Sequence, residues 1–159
     1  MAFLTTWNMT DLPSEMIDIL EEDIKKFDDW QDDSRVMGSE ISPKIRNSKN
    51  AWIPTEHWIG GWIWYYIQKA NRENFLYDLY DIDGGNIQYT HYNPGDYYTW
   101  HIDGDISTTF KPKIKPGTGE NLSKDQTFHK GECVRKLSFS LQLSDAKDYR
   151  GGEVEFINS

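Results

Sequence analysis

One cysteine, Cys133, stands in the 159 residues, so no intrachain disulfide can form, and the first residues lack the basic stretch and apolar core of a secretory signal. Both features point to a reducing cytoplasm. Long apolar runs are also missing. The longest, Trp58 to Ile67, contains Gly60 and Gly61 and falls well short of the roughly 20 residues that a membrane-spanning helix needs. Basic charge is scarce: 17 Lys and Arg against 26 Asp and Glu leave a net charge of −9, which repels phosphate backbones and anionic lipid surfaces. Neither nucleic acid nor a membrane is an expected partner. Aromatic residues, by contrast, make up 14% of the chain and include seven tryptophans, more than a solvated acidic chain carries. A single folded domain over 1–159 with an aromatic-rich core is expected.

The hydrophobic period changes along the chain. Ile17, Leu20, Ile24 and Phe27 recur at helical spacing between Pro13 and Trp30, which predicts an amphipathic helix. Gln31 to Asn50 is polar and aperiodic, broken by Ser42 and Pro43, and reads as a connector with room for one short strand. Ile59, Ile63, Ile67 and Ala70, with Trp58, Trp62 and Tyr66 beside them, predict a second helix from Pro54 to about Asn74. Gly60 and Gly61 weaken that helix unless a neighbour packs closely against it, and a sheet is expected there.

After Asp83, Gly84 and Gly85 the period becomes two. Ile87, Tyr89 and His91 alternate with Gln88, Thr90 and Tyr92, and Asn93-Pro94-Gly95-Asp96 suits a type II turn leading into a strand from Tyr97 to Asp103. A long polar loop is expected over 104–132. Alternation returns at Leu137, Phe139, Leu141 and Leu143, and Gly151-Gly152 opens a last strand, Glu153 to Ile157. The fold class is therefore α+β, with 1–82 mainly helical support and 83–159 mainly strands.

Residues two apart on a strand share a face, so His101 and Asp103 can direct an imidazole and a carboxylate at one point. This pair suits Fe(II), Mn or Zn, and a second histidine would complete the facial triad of non-haem iron oxygenases. The pair sits in an ordered series of three motifs. Tyr92, Gly95, Tyr98, His101 and Asp103 fit Tyr-x-x-Gly-x-x-Tyr-x-x-His-x-Asp; Arg135, Ser138, Leu143 and Ser144 fit Arg-x-x-Ser-x-x-x-x-Leu-Ser; Tyr149, Gly151, Gly152 and Glu153 fit Tyr-x-Gly-Gly-Glu.

In these three motifs the sequence resembles the prolyl 4-hydroxylase-like branch of the Fe(II)/2-oxoglutarate-dependent dioxygenases, especially its small microbial and phage members. The likeness covers Ile87 to Phe156 well and the N-terminal half in outline. It implies N-terminal helices packed on a double-stranded β-helix, or jelly roll, of which this chain covers roughly the first half. It also implies an oxidoreductase that hydroxylates an aliphatic carbon of a peptide or small molecule, with a peptidyl proline the expected target, and releases succinate and CO2. Fe(II) would be the metal, 2-oxoglutarate the co-substrate and ascorbate an accessory reductant. Under the resemblance His101 and Asp103 are metal ligands, Tyr92 binds 2-oxoglutarate, and Tyr98 and Arg135 face the substrate. For Tyr92 and Tyr98 packing is the competing role, and for Arg135 a surface salt bridge.

Two family features have no counterpart in this sequence. The third ligand, a histidine several strands downstream, and the basic 2-oxoglutarate anchor about ten residues after it are not found before Ser159. His129 falls in the polar loop, and His57 and His91 read as structural. Three readings follow: a shortened version of a longer enzyme, which is the favoured one; a half completed by another chain through unpaired strand edges; or a non-catalytic jelly roll that binds a peptide or ligand. An interaction module built around Trp52 to Tyr66 is a further alternative.

Overall fold

A computed structural model describes residues 12–30, 32–33, 46–103 and 134–156. The loop expected over 104–132, together with His129 and Cys133, lies outside the described residues.

Helix α1, Ser14–Ile24, starts directly after Pro13 and tightens into a 3-10 segment, Lys25–Trp30, so the helix expected between Pro13 and Trp30 is present with a narrower last turn. Its inward residues Leu20 and Ile24 are buried. Strands β1, Asp32–Asp33, and β2, Arg46–Asn47, precede the central strand β3, Lys49–Pro54. Helix α2 spans Trp58–Ala70 and widens into a π-type turn, Asn71–Phe75. A 3-10 turn, Asp83–Gly85, leads into β4, Asn86–His91, and β5 is Tyr97–Tyr98.

All pairings are antiparallel. One sheet has the order β1-β3-β4, with Ile53 opposite Ile87, Ala51 opposite Tyr89 and Asn50 opposite Thr90; in the second, β2 pairs with β5 so that Arg46 faces Tyr98. Among the described residues the architecture is thus α+β, two helices with two small antiparallel sheets. The stretch 1–82, expected to be mainly helical, also supplies three of the five strands described.

Three expectations need correction. The strand expected from Tyr97 to Asp103 ends at Tyr98. Pro54 closes β3 and does not open α2: His57 N–H donates to the Pro54 carbonyl (3.0 Å) and Gly60 N–H to that of His57 (2.8 Å), so Thr55 to His57 form the turn between strand and helix. Leu137 to Leu143 and Glu153 to Phe156 form no strand ladder among the described residues, although Leu141 and Leu143 pack against the core as their alternation suggests.

Leu20 and Ile24 from α1, Ile53 from β3, and Ile59 and Ile63 from α2 form the buried cluster, with Ile87 and Tyr89 from β4 packed on it. Each such aliphatic side chain contributes on the order of 1.5–3 kcal/mol when fully buried. Gly60 makes the approach of α2 possible, since a Cβ there would lie 2.1 Å from the Thr55 carbonyl oxygen. Gly61 faces open space and has no such role. At the far end of α2, the Asn71 side chain accepts from Tyr77 N–H (2.9 Å) and donates to the Tyr77 carbonyl (2.8 Å), holding the chain where Leu76 turns through a left-handed φ of 56°.

Candidate metal centre

The segment from Tyr92 to Asp103 is held at its start by the turn. Asp96 N–H donates to the Asn93 carbonyl (2.9 Å) and its carboxylate accepts from Asn93 N–H (2.7 Å), while Gly95 adopts the positive φ, 90°, that a type II turn needs at its third residue. The same carboxylate accepts from Asn47 Nδ2 (2.5 Å), which ties the turn to β2. The β2–β5 pairing then places Tyr98 beside Arg46, and the chain continues beyond the ladder to the two candidate ligands.

His101 and Asp103 are brought together, although the strand expected to carry them ends at Tyr98 and the approach is made outside any ladder. His101 Nε2 lies 3.1 Å from Asp103 Oδ1, and Nδ1 lies 2.8 Å from the Thr99 carbonyl oxygen. A carbonyl only accepts, so Nδ1 carries the hydrogen, and Nε2 faces the carboxylate across a gap that a proton or a metal ion can bridge. An imidazole whose outer nitrogen is fixed by a backbone carbonyl and whose inner nitrogen points beside a carboxylate is the usual form of a metal-binding histidine. The pair is open to solvent, with side chains 35% and 53% exposed.

Two further residues singled out by sequence join this group. Tyr98 stacks on the His101 ring, with centroids 3.6 Å apart and planes 14° from parallel. Arg135 donates from Nη1 to the Asp103 carbonyl (2.5 Å) and from Nε to the Asp83 carboxylate (2.8 Å), so it anchors the backbone of one candidate ligand to the turn before β4. The salt bridge anticipated as its competing role is therefore present. Tyr92, just past β4, is exposed and enters none of the hydrogen bonds or ring contacts of this group among the described residues.

The other two described histidines, His57 and His91, stand apart from it. His57 precedes α2, where its Nδ1 accepts from Ile59 N–H (3.5 Å) and its ring meets Phe27 edge-on. His91 is the exposed last residue of β4. No three His, Cys, Asp or Glu side chains are grouped to hold a metal ion among the described residues. The donor set, one imidazole nitrogen and one carboxylate oxygen, fits two of the three protein positions of a non-haem Fe(II) site.

Sequence reasoning misses Arg46. It lies in the stretch expected to be a polar connector, yet it is 7% exposed, and Ser48 and Asn50 at the next two alternate positions are buried with it. The spacing of three polar residues two apart was the only signal for a strand face. Among the described residues no helix is long and apolar enough to cross a membrane. Comparisons with protein-family models, with curated proteins and with solved structures give no match.

Proposed function

We propose that the chain is a cytoplasmic Fe(II)- and 2-oxoglutarate-dependent dioxygenase of the prolyl 4-hydroxylase-like type, its antiparallel strands forming the first part of a jelly roll. One observation carries the reading: the 3.1 Å approach of His101 Nε2 to Asp103 Oδ1 with Nδ1 committed to Thr99. The reaction converts 2-oxoglutarate and dioxygen into succinate and CO2, one oxygen atom entering succinate and the other a C–H bond of the substrate, with a peptidyl proline the favoured target. Iron held by His101 and Asp103 would supply the activation of dioxygen.

The protein's own residues supply placement. His101 and Asp103, both partly open to solvent, would hold the metal. Tyr98 restricts rotation of the imidazole by stacking, and Arg135 holds the Asp103 backbone. Trp100, 60% exposed, and Tyr98 offer aromatic walls suited to a proline ring. Tyr92 serves as a hydroxyl donor to 2-oxoglutarate.

The test is succinate release by the full chain with Fe(II), ascorbate, 2-oxoglutarate and a prolyl peptide. Wild type is expected to release succinate and His101→Ala to fall to background. Equal background for both, with no iron retained by wild type, would overturn the enzymatic reading and leave that of a ligand-binding jelly roll.

A further inference from the structure

Burying a cation without a counter-charge costs several kcal/mol, so a buried arginine in a folded chain is ordinarily paired with a carboxylate. Arg46 is buried and, among the described residues, has no such partner. Each described oxygen that accepts from its guanidinium is neutral. Nε donates to Ser48 Oγ (2.9 Å), and Nη2 reaches Asn50 Oδ1 (3.1 Å) and Thr90 Oγ1 (3.3 Å). With the Gln88 amide oriented so that its oxygen faces the guanidinium, that oxygen accepts from Nη2 at 2.6 Å and from Nη1 at 3.3 Å. Five N–H donors are available, and this set leaves one Nη1 hydrogen without an acceptor. The guanidinium carbon also lies 4.7 Å from the centroid of the Tyr98 ring, the ring that stacks on His101.

These neutral groups satisfy hydrogen bonds and bring no negative charge to the guanidinium. They also hold the guanidinium rigidly, so little freedom remains to be lost when an anion arrives. The polar face of β3 and β4 thus holds a prepared cation, linked to His101 through the Tyr98 ring, with one donor edge uncommitted. We infer that Arg46 is the anchor of a carboxylate ligand that lies along this face beside Tyr98 and His101. The inference deepens the oxygenase reading and rests on it for the two sources considered: the distal carboxylate of the 2-oxo acid co-substrate, or a carboxylate borne by the substrate.

The experiment follows the Arg46 Nε–Hε resonance of the full-length, isotopically labelled chain in metal-free buffer during titration with 2-oxoglutarate, glutarate, N-acetylproline and, as control, chloride. A saturable shift, half complete below about 10 mM and absent with chloride, is expected for at least one acid. Response to 2-oxoglutarate or glutarate assigns the site to the co-substrate. Response to N-acetylproline alone assigns it to the substrate. No saturable shift with any acid, or a shift matched by chloride, overturns the inference. Arg46→Lys keeps the charge and loses the fork, and is expected to weaken binding by about tenfold or more. Because no metal is present, failure here leaves the iron reading of His101 and Asp103 standing, and failure of iron binding leaves this measurement interpretable.

Discussion

The two faces of the β3–β4 pair do different work. Toward the helices, Ile53, Ile87 and Tyr89 meet Leu20, Ile24, Ile59 and Ile63 in an apolar core. On the other side, Asn50, Gln88 and Thr90 surround Arg46, and β5 brings Tyr98 and the chain leading to His101 and Asp103. A period of two separates these roles within six residues of β3. The comparison teaches where substitutions should register: on the helix side in stability, and on the polar side in what the chain can bind.

Gly60→Ala is the strongest way to break the helix-side half of this picture. Its Cβ would fall 2.1 Å from a backbone oxygen, so α2 must move, and a loss of about 3 kcal/mol or more in denaturant unfolding is expected. Ile53→Ala follows, at about 2–5 kcal/mol for a side chain buried at the centre of the cluster. His101→Ala sharpens the contrast, because it should leave stability within about 0.5 kcal/mol while removing metal binding. A large stability loss in that variant would merge the two faces into one structural unit.

Gly61→Ala should act in the opposite direction. Open space surrounds the position, so the gain in helix propensity, about 1 kcal/mol, is not offset by a clash, and the midpoint of thermal unfolding should rise. The smallest expected effect concerns Asp23 on α1. Its hydrogen bond from Lys26 and then that from the Trp58 indole hold its carboxyl below the usual carboxylate range. A depressed carboxyl pKa in the folded state stabilises above the unfolded-state value and loses that contribution as pH falls through the folded-state value. Wild type should therefore exceed Asp23→Asn slightly in thermal midpoint at neutral pH. The gap should close on acidification below the usual carboxylate range.

The same two faces explain what could be read from sequence. On α1 and β4 one side is apolar and the other wet, so Leu20 with Ile24, and Ile87 with Tyr89, announce period and direction together. The Asn93 to Asp96 turn was legible because local geometry determines it, whereas His101 and Asp103 approach each other without the strand that the sequence suggested for them. Strand β3 was not, since both its faces are covered: Asn50 is buried among polar groups while Ile53 is buried among apolar ones, and a terminal proline imitates a helix start. Arg46 was hidden for a related reason, because sequence polarity is ordinarily read as exposure. Leu137 to Leu143 shows the reverse case, in which alternation yields packing of Leu141 and Leu143 without a ladder.

The claim on which the functional reading depends is that His101 and Asp103 bind iron together. Anaerobic Fe(II) titration of the full chain in the presence of 2-oxoglutarate, with retained iron measured after desalting, tests it most directly. One iron per chain is expected in wild type, with loss in both His101→Ala and Asp103→Ala while each variant keeps its thermal midpoint. Retention of no iron by wild type, or equal retention by all three proteins, would contradict the account.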